Sequence, residues 1–367
     1  MKGYTHRGLV GKNGVVDTSL LVTDASSLEV LPSDDGFHVR QLETGDFEWW
    51  YFDIIDLEIG CVLRLAAHIG TDPLKRKIFP QLAISVKTPN IQKSLLKPYS
   101  LSEFSASQDI CNVRLSDEFQ ACFDSFKQKG RYKLSVNTNE FSADLTFFVE
   151  IEGWKPLGNE FWIEKGKKRG AFSWIIPAPK AKVSGNFSFM NERYVLKDAI
   201  GYHDHNYWKV DSSNKLFIDN FISKWYWGRF RGRNYTIIFM DTHFRKHSIT
   251  SFMLAKDNDI IHSSNNLIEV LATEMRVDEQ LRTAYPARIT VRSIAGDNSF
   301  TLVLNSKEII EKKDLLDGVD PLLKGLIKSF VSKPAYYAIW ADAALAIENK
   351  EILGSSVYEY MLFRTVS

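Results

Sequence analysis

Apolar and polar residues alternate with a period of two along most of the chain, the spacing of half-buried β-strands. It is plain in FEWWYFDIIDL (47–57), CVLRLAAHI (61–69), RYKLSVN (131–137), EFSADLTFFVEIEGW (140–154) and AKVSGNFSFM (181–190). The second half repeats the style over 215–230, 234–244, 287–294, 300–306, 335–347 and 355–363. GRN at 232–234 reads as the turn of a hairpin, and LEIGCVL at 57–63 contains another tight turn. One stretch has helical spacing instead. In DPLLKGLIKSFV (320–331), Asp320 fits an N-cap and Pro321 the first helical position, and Leu322, Leu323, Leu326, Ile327 and Phe330 share a face. Short antiparallel strands with one helical insertion make an all-β chain of barrels or sandwiches. At 367 residues it has room for two domains, 1–196 and 197–367.

Alternation also sorts the side chains that carry chemistry. If 202–208 is a strand, His203, His205 and Tyr207 share one face, while Tyr202, Asp204, Asn206 and Trp208 share the other. In 234–244, Tyr235, Ile237, Phe239, Asp241 and His243 lie together. A carboxyl in apolar surroundings is held protonated because desolvation disfavours its charge, so Asp241 is a candidate proton donor; the plainer reading is a strand-end hydrogen-bond acceptor. In KWYWGRF (224–230), Trp225, Trp227 and Arg229 share a face, and indole faces stabilise cations, though a core aromatic ladder has the same pattern. Glu48 and Trp50 alternate with Trp49, Tyr51 and Asp53, which makes Glu48 a second acid or a partner for Arg229. These positions predict one cavity lined by Trp225, Trp227, Tyr235 and Phe239.

Composition narrows the partners. The 46 Lys and Arg against 45 Asp and Glu leave a formal charge of +1, without the basic footprint of a nucleic-acid binder. Aromatic residues make up 13% of the chain and gather near the polar clusters, which suits an apolar small-molecule substrate. Three cysteines, Cys61, Cys111 and Cys122, have no CxxC spacing and do not form a disulfide framework. The N-terminus has no secretory h-region, and no apolar run approaches the ~18 residues of a membrane span. A cytoplasmic enzyme is expected, with room for transient membrane contact during substrate uptake; its oligomeric state is left open. GxSxG, Walker and dinucleotide motifs are absent. His203 and His205 with a third histidine such as His243 are a conceivable metal set, but no complete one is visible, so neither a metal nor an organic cofactor is expected.

FEWWYFD (47–53), GYHDHN (201–206), WYWGR (225–229), FMD (239–241) and GSSVYEY (354–360) together resemble the AttH/CrtC-type lipocalin-like family, from about residue 40 to the end. That family contains hydroxyneurosporene synthase, a carotenoid 1,2-hydratase, and is related to lipocalin-like Diels–Alderases. The resemblance implies two packed lipocalin-like antiparallel β-barrels with an active site in an apolar cavity at or near their junction. It implies Asp241 as proton donor to an alkene, with His205 as base or water-positioning group. Two departures stand out: Tyr207 replaces the Trp of DHNWG, and Phe239 replaces the Tyr of the YWD strand. The expected function is a hydratase or cyclase acting on an olefinic, terpenoid-like molecule. The alternatives are a pericyclase, with His203, His205 or Tyr207 polarising a carbonyl, and a non-catalytic carrier.

Overall fold

The computed structural model describes residues 29–39, 42–43, 45–71, 78–124, 129–156, 161–165, 168–210, 222–244, 248–293, 299–315 and 334–363. The helix expected at 320–331 lies outside the described residues. Two antiparallel sheets dominate. The first holds β1 (Phe47–Asp56), β2 (Cys61–Thr71), β3 (Ile78–Lys87), β4 (Gln92–Pro98), β5 (Phe104–Ala106), β6 (Asn112–Leu115), β7 (Phe119–Asp124), β8 (Arg131–Asn137), β9 (Phe141–Ile151), β10 (Phe161–Lys165), β11 (Lys168–Phe189) and β12 (Glu192–Val210). Its spatial order is β4-β3-β2-β1-β12-β11-β9-β8-β7-β6-β5, with β10 added to β11. The second holds β13 (Ile222–Gly232), β14 (Tyr235–Phe244), β15 (Ser248–Lys256), β16 (Asp259–Asn265), β17 (Ile268–Val277), β18 (Ala284–Ser293), β19 (Phe300–Asp314), β20 (Ala335–Ile347) and β21 (Lys350–Leu362). It is ordered β16-β15-β14-β13-β21-β20-β19-β18-β17.

The all-β, two-barrel reading holds, and each sheet curls around its own apolar core. Phe52, Phe119, Phe147 and Phe187 fill the first; Phe230, Phe239, Phe252 and Tyr337 fill the second. A third core, including Tyr202, Trp208, Trp227, Met240 and Tyr336, lies between the sheets. The sheets change between Val210 and Ile222, whereas residue 196 falls inside β12. The 201–206 motif is therefore carried by a strand of the first sheet, because β12 continues unbroken to Val210 between β1 and β11.

Strand β12 is consequently a wall with two different faces. Its pairing with β1 sets His205 opposite Trp50 and His203 opposite Phe52, facing the first barrel's interior; Tyr202 lies opposite Asp53, facing the second sheet. Charged contacts cross the junction from the same region. Arg229 of β13 pairs with Asp53, and Arg64 of β2 reaches Glu311, Glu359 and Tyr336. Arg229 is thus the partner of Asp53, not of Glu48.

Gly201 lets Phe147 and Val183 close against β12, since a Cβ there would come within 2.5 Å of both side chains. Gly201→Ala is expected to destabilise the protein by about 1–3 kcal/mol through overpacking, read from the midpoint of urea unfolding.

Candidate active site

The short 3-10 turn Pro32–Asp35 precedes β1 and delivers Asp35 into the first barrel. The turn and the residues that follow it are tied down at several points. Lys155 Nζ pairs with Asp34 at 2.9 Å, Trp50 Nε1 donates to the Asp35 carbonyl at 3.1 Å, and the Phe37 amide donates to Ser107. Glu48 accepts the amides of His38 and Val39. The Asp35 carboxylate then receives the Tyr132 hydroxyl at 2.8 Å and lies 3.0 and 3.2 Å from His203 Nε2. His205 follows, with Nε2 2.8 Å from Glu48 and Nδ1 3.4 Å from Asp35. Aromatic faces hold both rings: Phe52 stacks on His203 at 3.9 Å and Trp50 on His205 at 4.7 Å.

These contacts locate the protons. His203 Nδ1 lies 2.9 Å from the carbonyl oxygen of Tyr51, which only accepts, so Nδ1 carries a hydrogen. In a neutral ring Nε2 would then be a bare acceptor facing a carboxylate. The contact of 3.0 Å between them is a hydrogen bond when one further proton lies between Asp35 and His203. Burial raises the Asp35 pKa, but the charge and hydrogen bond of His203 outweigh it and hold the carboxyl far below its usual range. Burial alone would lower the His205 pKa; the neighbouring carboxylates of Asp35 and Glu48, the latter accepting from Nε2, overcome it and push the ring up to about 9. On the opposite face of β12, burial pushes Asp204 up to about 7 against hydrogen bonds from Tyr202 and Trp174.

Asp35, with His203 behind it, lines a cavity of about 790 Å³ at the junction of the sheets. Asp35, Cys111, Phe123, Tyr132 and Trp154 line it from the first domain, and Asn258, Asp259 and Ile260 from the β15–β16 hairpin. Such a volume lies within the ~300–1,000 Å³ of small-molecule sites.

The structure divides the residues expected from sequence into three places. His203, His205, Glu48, Trp50 and Tyr207 come together in the first domain, where Tyr207 stacks on His38 with ring centroids 4.4 Å apart. Trp225, Trp227 and Arg229 pack between the sheets. Tyr235, Phe239, Asp241 and His243 belong to the inner side of the second barrel, where His243 Nε2 lies 2.8 Å from Asp241. The single cavity expected from Trp225, Trp227, Tyr235 and Phe239 is therefore not formed. The reason is register: Trp227 lies opposite Met240 and Arg229 opposite Ile238, whereas Phe239 lies opposite Gly228 and Asp241 opposite Tyr226. Directly paired residues share a face, so the two sets point to opposite sides of the sheet. For the same reason Asp241 and His205 face the interiors of different barrels, and none of the expected residues lines the junction cavity.

Asp35, Tyr132 and Cys111 were missed from sequence. The only local sign of Asp35 is the turn string PSDDG before β1, and Tyr132 is one ordinary inward position of RYKLSVN. Among the described residues no helix is long and apolar enough to cross a membrane.

No protein-family model matches the chain, and no curated protein matches it in sequence. Solved structures do match in fold. CghA in complex with Sch210972 superposes with a TM-score of 0.63 at 13% identity, covering 96% of this chain and 97% of its own. An AttH-type protein from Nitrosomonas europaea gives 0.62 at 12% identity, covering 94% and 100%. Kievitone hydratase from Nectria haematococca gives 0.52 at 15% identity, covering 94% of each chain. At these identities the likeness is one of fold.

Proposed function

We propose that this chain, whose two-barrel fold is that of the AttH/CrtC-type lipocalin-like proteins, is a hydratase or cyclase that protonates an olefinic, apolar small molecule held in the junction cavity. The observation that carries this reading is the 3.0 Å contact between His203 Nε2 and Asp35, whose side chain lies on the cavity wall. His203 supplies the proton and Asp35, on the cavity wall, relays it to one alkene carbon, leaving a cation on the other. Phe123, Tyr132 and Trp154, all on the cavity wall, offer aromatic surface to the cation. In hydration, water adds to the cation and its proton returns to the Asp35 carboxylate; in cyclisation, a second double bond attacks and a carbon gives up the proton instead. His205 and Glu48, next in line, hold the local charge as His203 gives up and recovers its proton. The scheme uses no organic cofactor.

The solved folds support a small-molecule chemistry of this kind, since one is a hydratase by name and another, CghA, was solved with Sch210972. Tyr132 on the cavity wall favours a second reading, a pericyclase in which its hydroxyl turns from Asp35 to a substrate carbonyl while the cavity folds a polyene. A panel of alkenyl phenols, isoprenoids and polyenes incubated in heavy water separates the readings by mass. Gain of one water with deuterium on carbon marks hydration, an isomer carrying deuterium marks protonative cyclisation, and an isomer without deuterium marks the pericyclase. Substrate returned unchanged while bound would leave only a carrier.

A further inference from the structure

We propose that Asp35, Cys111 and His203 form a binding site for one transition-metal ion of the zinc class, with its remaining ligand position open to the junction cavity. One donor atom from each of the three buried residues lies within 4.8 Å of the others. With zinc–ligand bonds of about 2.0–2.3 Å, tetrahedral donors stand roughly 3.3–3.8 Å apart, so only small side-chain movements are needed.

The surroundings prepare the donors. His203 gives its Nδ1 hydrogen to the Tyr51 carbonyl, which turns the Nε2 lone pair inward, and backbone partners orient zinc-bound histidines in this way. Tyr132 steadies the carboxylate by donating to Oδ2. A thiol, an imidazole and a carboxylate together select zinc or cobalt over magnesium or calcium. Three protein ligands plus one open position is the arrangement of zinc sites that admit a small molecule. Asp35 and Cys111 both line the cavity, which supplies an entry path. This set differs from the three histidines considered from sequence, because His205 Nε2 is held by Glu48 and His243 belongs to the other barrel.

The ion would occupy the place of the shared proton. Binding stands on the ligand geometry alone; inhibition of turnover by zinc rests on the function proposed above.

Metal-free protein titrated with Co(II) should bind one ion and develop a near-ultraviolet thiolate-to-cobalt band that zinc abolishes by competition. Cys111→Ser should lose the band. Tyr132→Phe, an outer-shell change, should weaken binding by roughly 10–100-fold. Absence of the band from the wild-type protein, or its persistence in Cys111→Ser, overturns the site. If Cys111→Ser does not fold, zinc-edge absorption on wild-type protein decides: one sulfur ligand supports the site and none overturns it. Zinc that binds without slowing turnover upholds the site and removes the proton-donor reading instead.

Discussion

Asp35→Asn is expected to lower turnover by roughly 10²–10⁴-fold, the usual contribution of a positioned general acid or base. The substitution isolates the proton. An amide accepts the Tyr132 hydroxyl through its oxygen and donates an N–H to a neutral His203 Nε2, so the shape and the hydrogen bonds at Asp35 persist. What disappears is the transferable proton between the two side chains. Glu48 still holds His205, and the melting temperature should change far less than turnover does. His203→Gln should lower turnover as well. Asp241→Asn supplies the contrast: the inner side of the second barrel is remote from the cavity lining, and turnover should be unchanged. Full activity in Asp35→Asn, or an Asp241→Asn variant as inactive as expected for Asp35→Asn, would move the chemistry out of the junction cavity.

Arg64→Ala should reduce unfolding free energy by about 3–5 kcal/mol, the cost of leaving buried charges without their partner. Arg64 donates to Glu311 at 2.7 Å and to the Tyr51 hydroxyl at 2.7 Å, and it also meets Glu359 and Tyr336 across the junction. Glu311 keeps Lys313 at 2.6 Å, but among the described residues Glu359 would retain only the Tyr336 hydroxyl and carry its desolvation cost without a cation. Burial already raises the Glu359 pKa against the pull of Arg64. Urea unfolding should show a lower midpoint at unchanged slope. Arg64→Met combined with Glu359→Leu should recover much of the loss, since a well-packed apolar pair avoids the desolvation penalty. A loss below about 1 kcal/mol for Arg64→Ala, the range of exposed pairs, would mean that water reaches the junction.

Most of the strand pattern was legible because a pleated strand allows only two faces. RYKLSVN coincides with β8, and the split of His203, His205 and Tyr207 from Tyr202, Asp204, Asn206 and Trp208 matches the two sides of β12. What one strand's alternation does not contain is which of its faces joins which face of its neighbour. That depends on register, and at β13–β14 it separates Trp225, Trp227 and Arg229 from Phe239 and Asp241. The 19-residue β12 was likewise hidden, because a division at 196 looks natural just before a dense polar motif. The group central to the site escaped for another reason. Asp35 stands in a turn with no periodicity, 168 positions from His203 in the chain, and its carboxylate gains meaning only when the fold brings it to that ring.

The two-sided β12 also bears on how such proteins can be recombined. A chimera cut after Val210 would carry His203 and His205 into its new context together with Tyr202, Asp204 and Trp208 on the reverse of the same strand. Any donor second barrel must therefore supply counterparts to Trp227, whose ring sits 5.2 Å from Tyr202, and to Arg229, which answers Asp53. The barrels resemble two interchangeable parts, yet their shared core and ion pairs make them a matched pair, and new substrate ranges are more accessible through the cavity wall and the β15–β16 hairpin than through exchange of whole barrels.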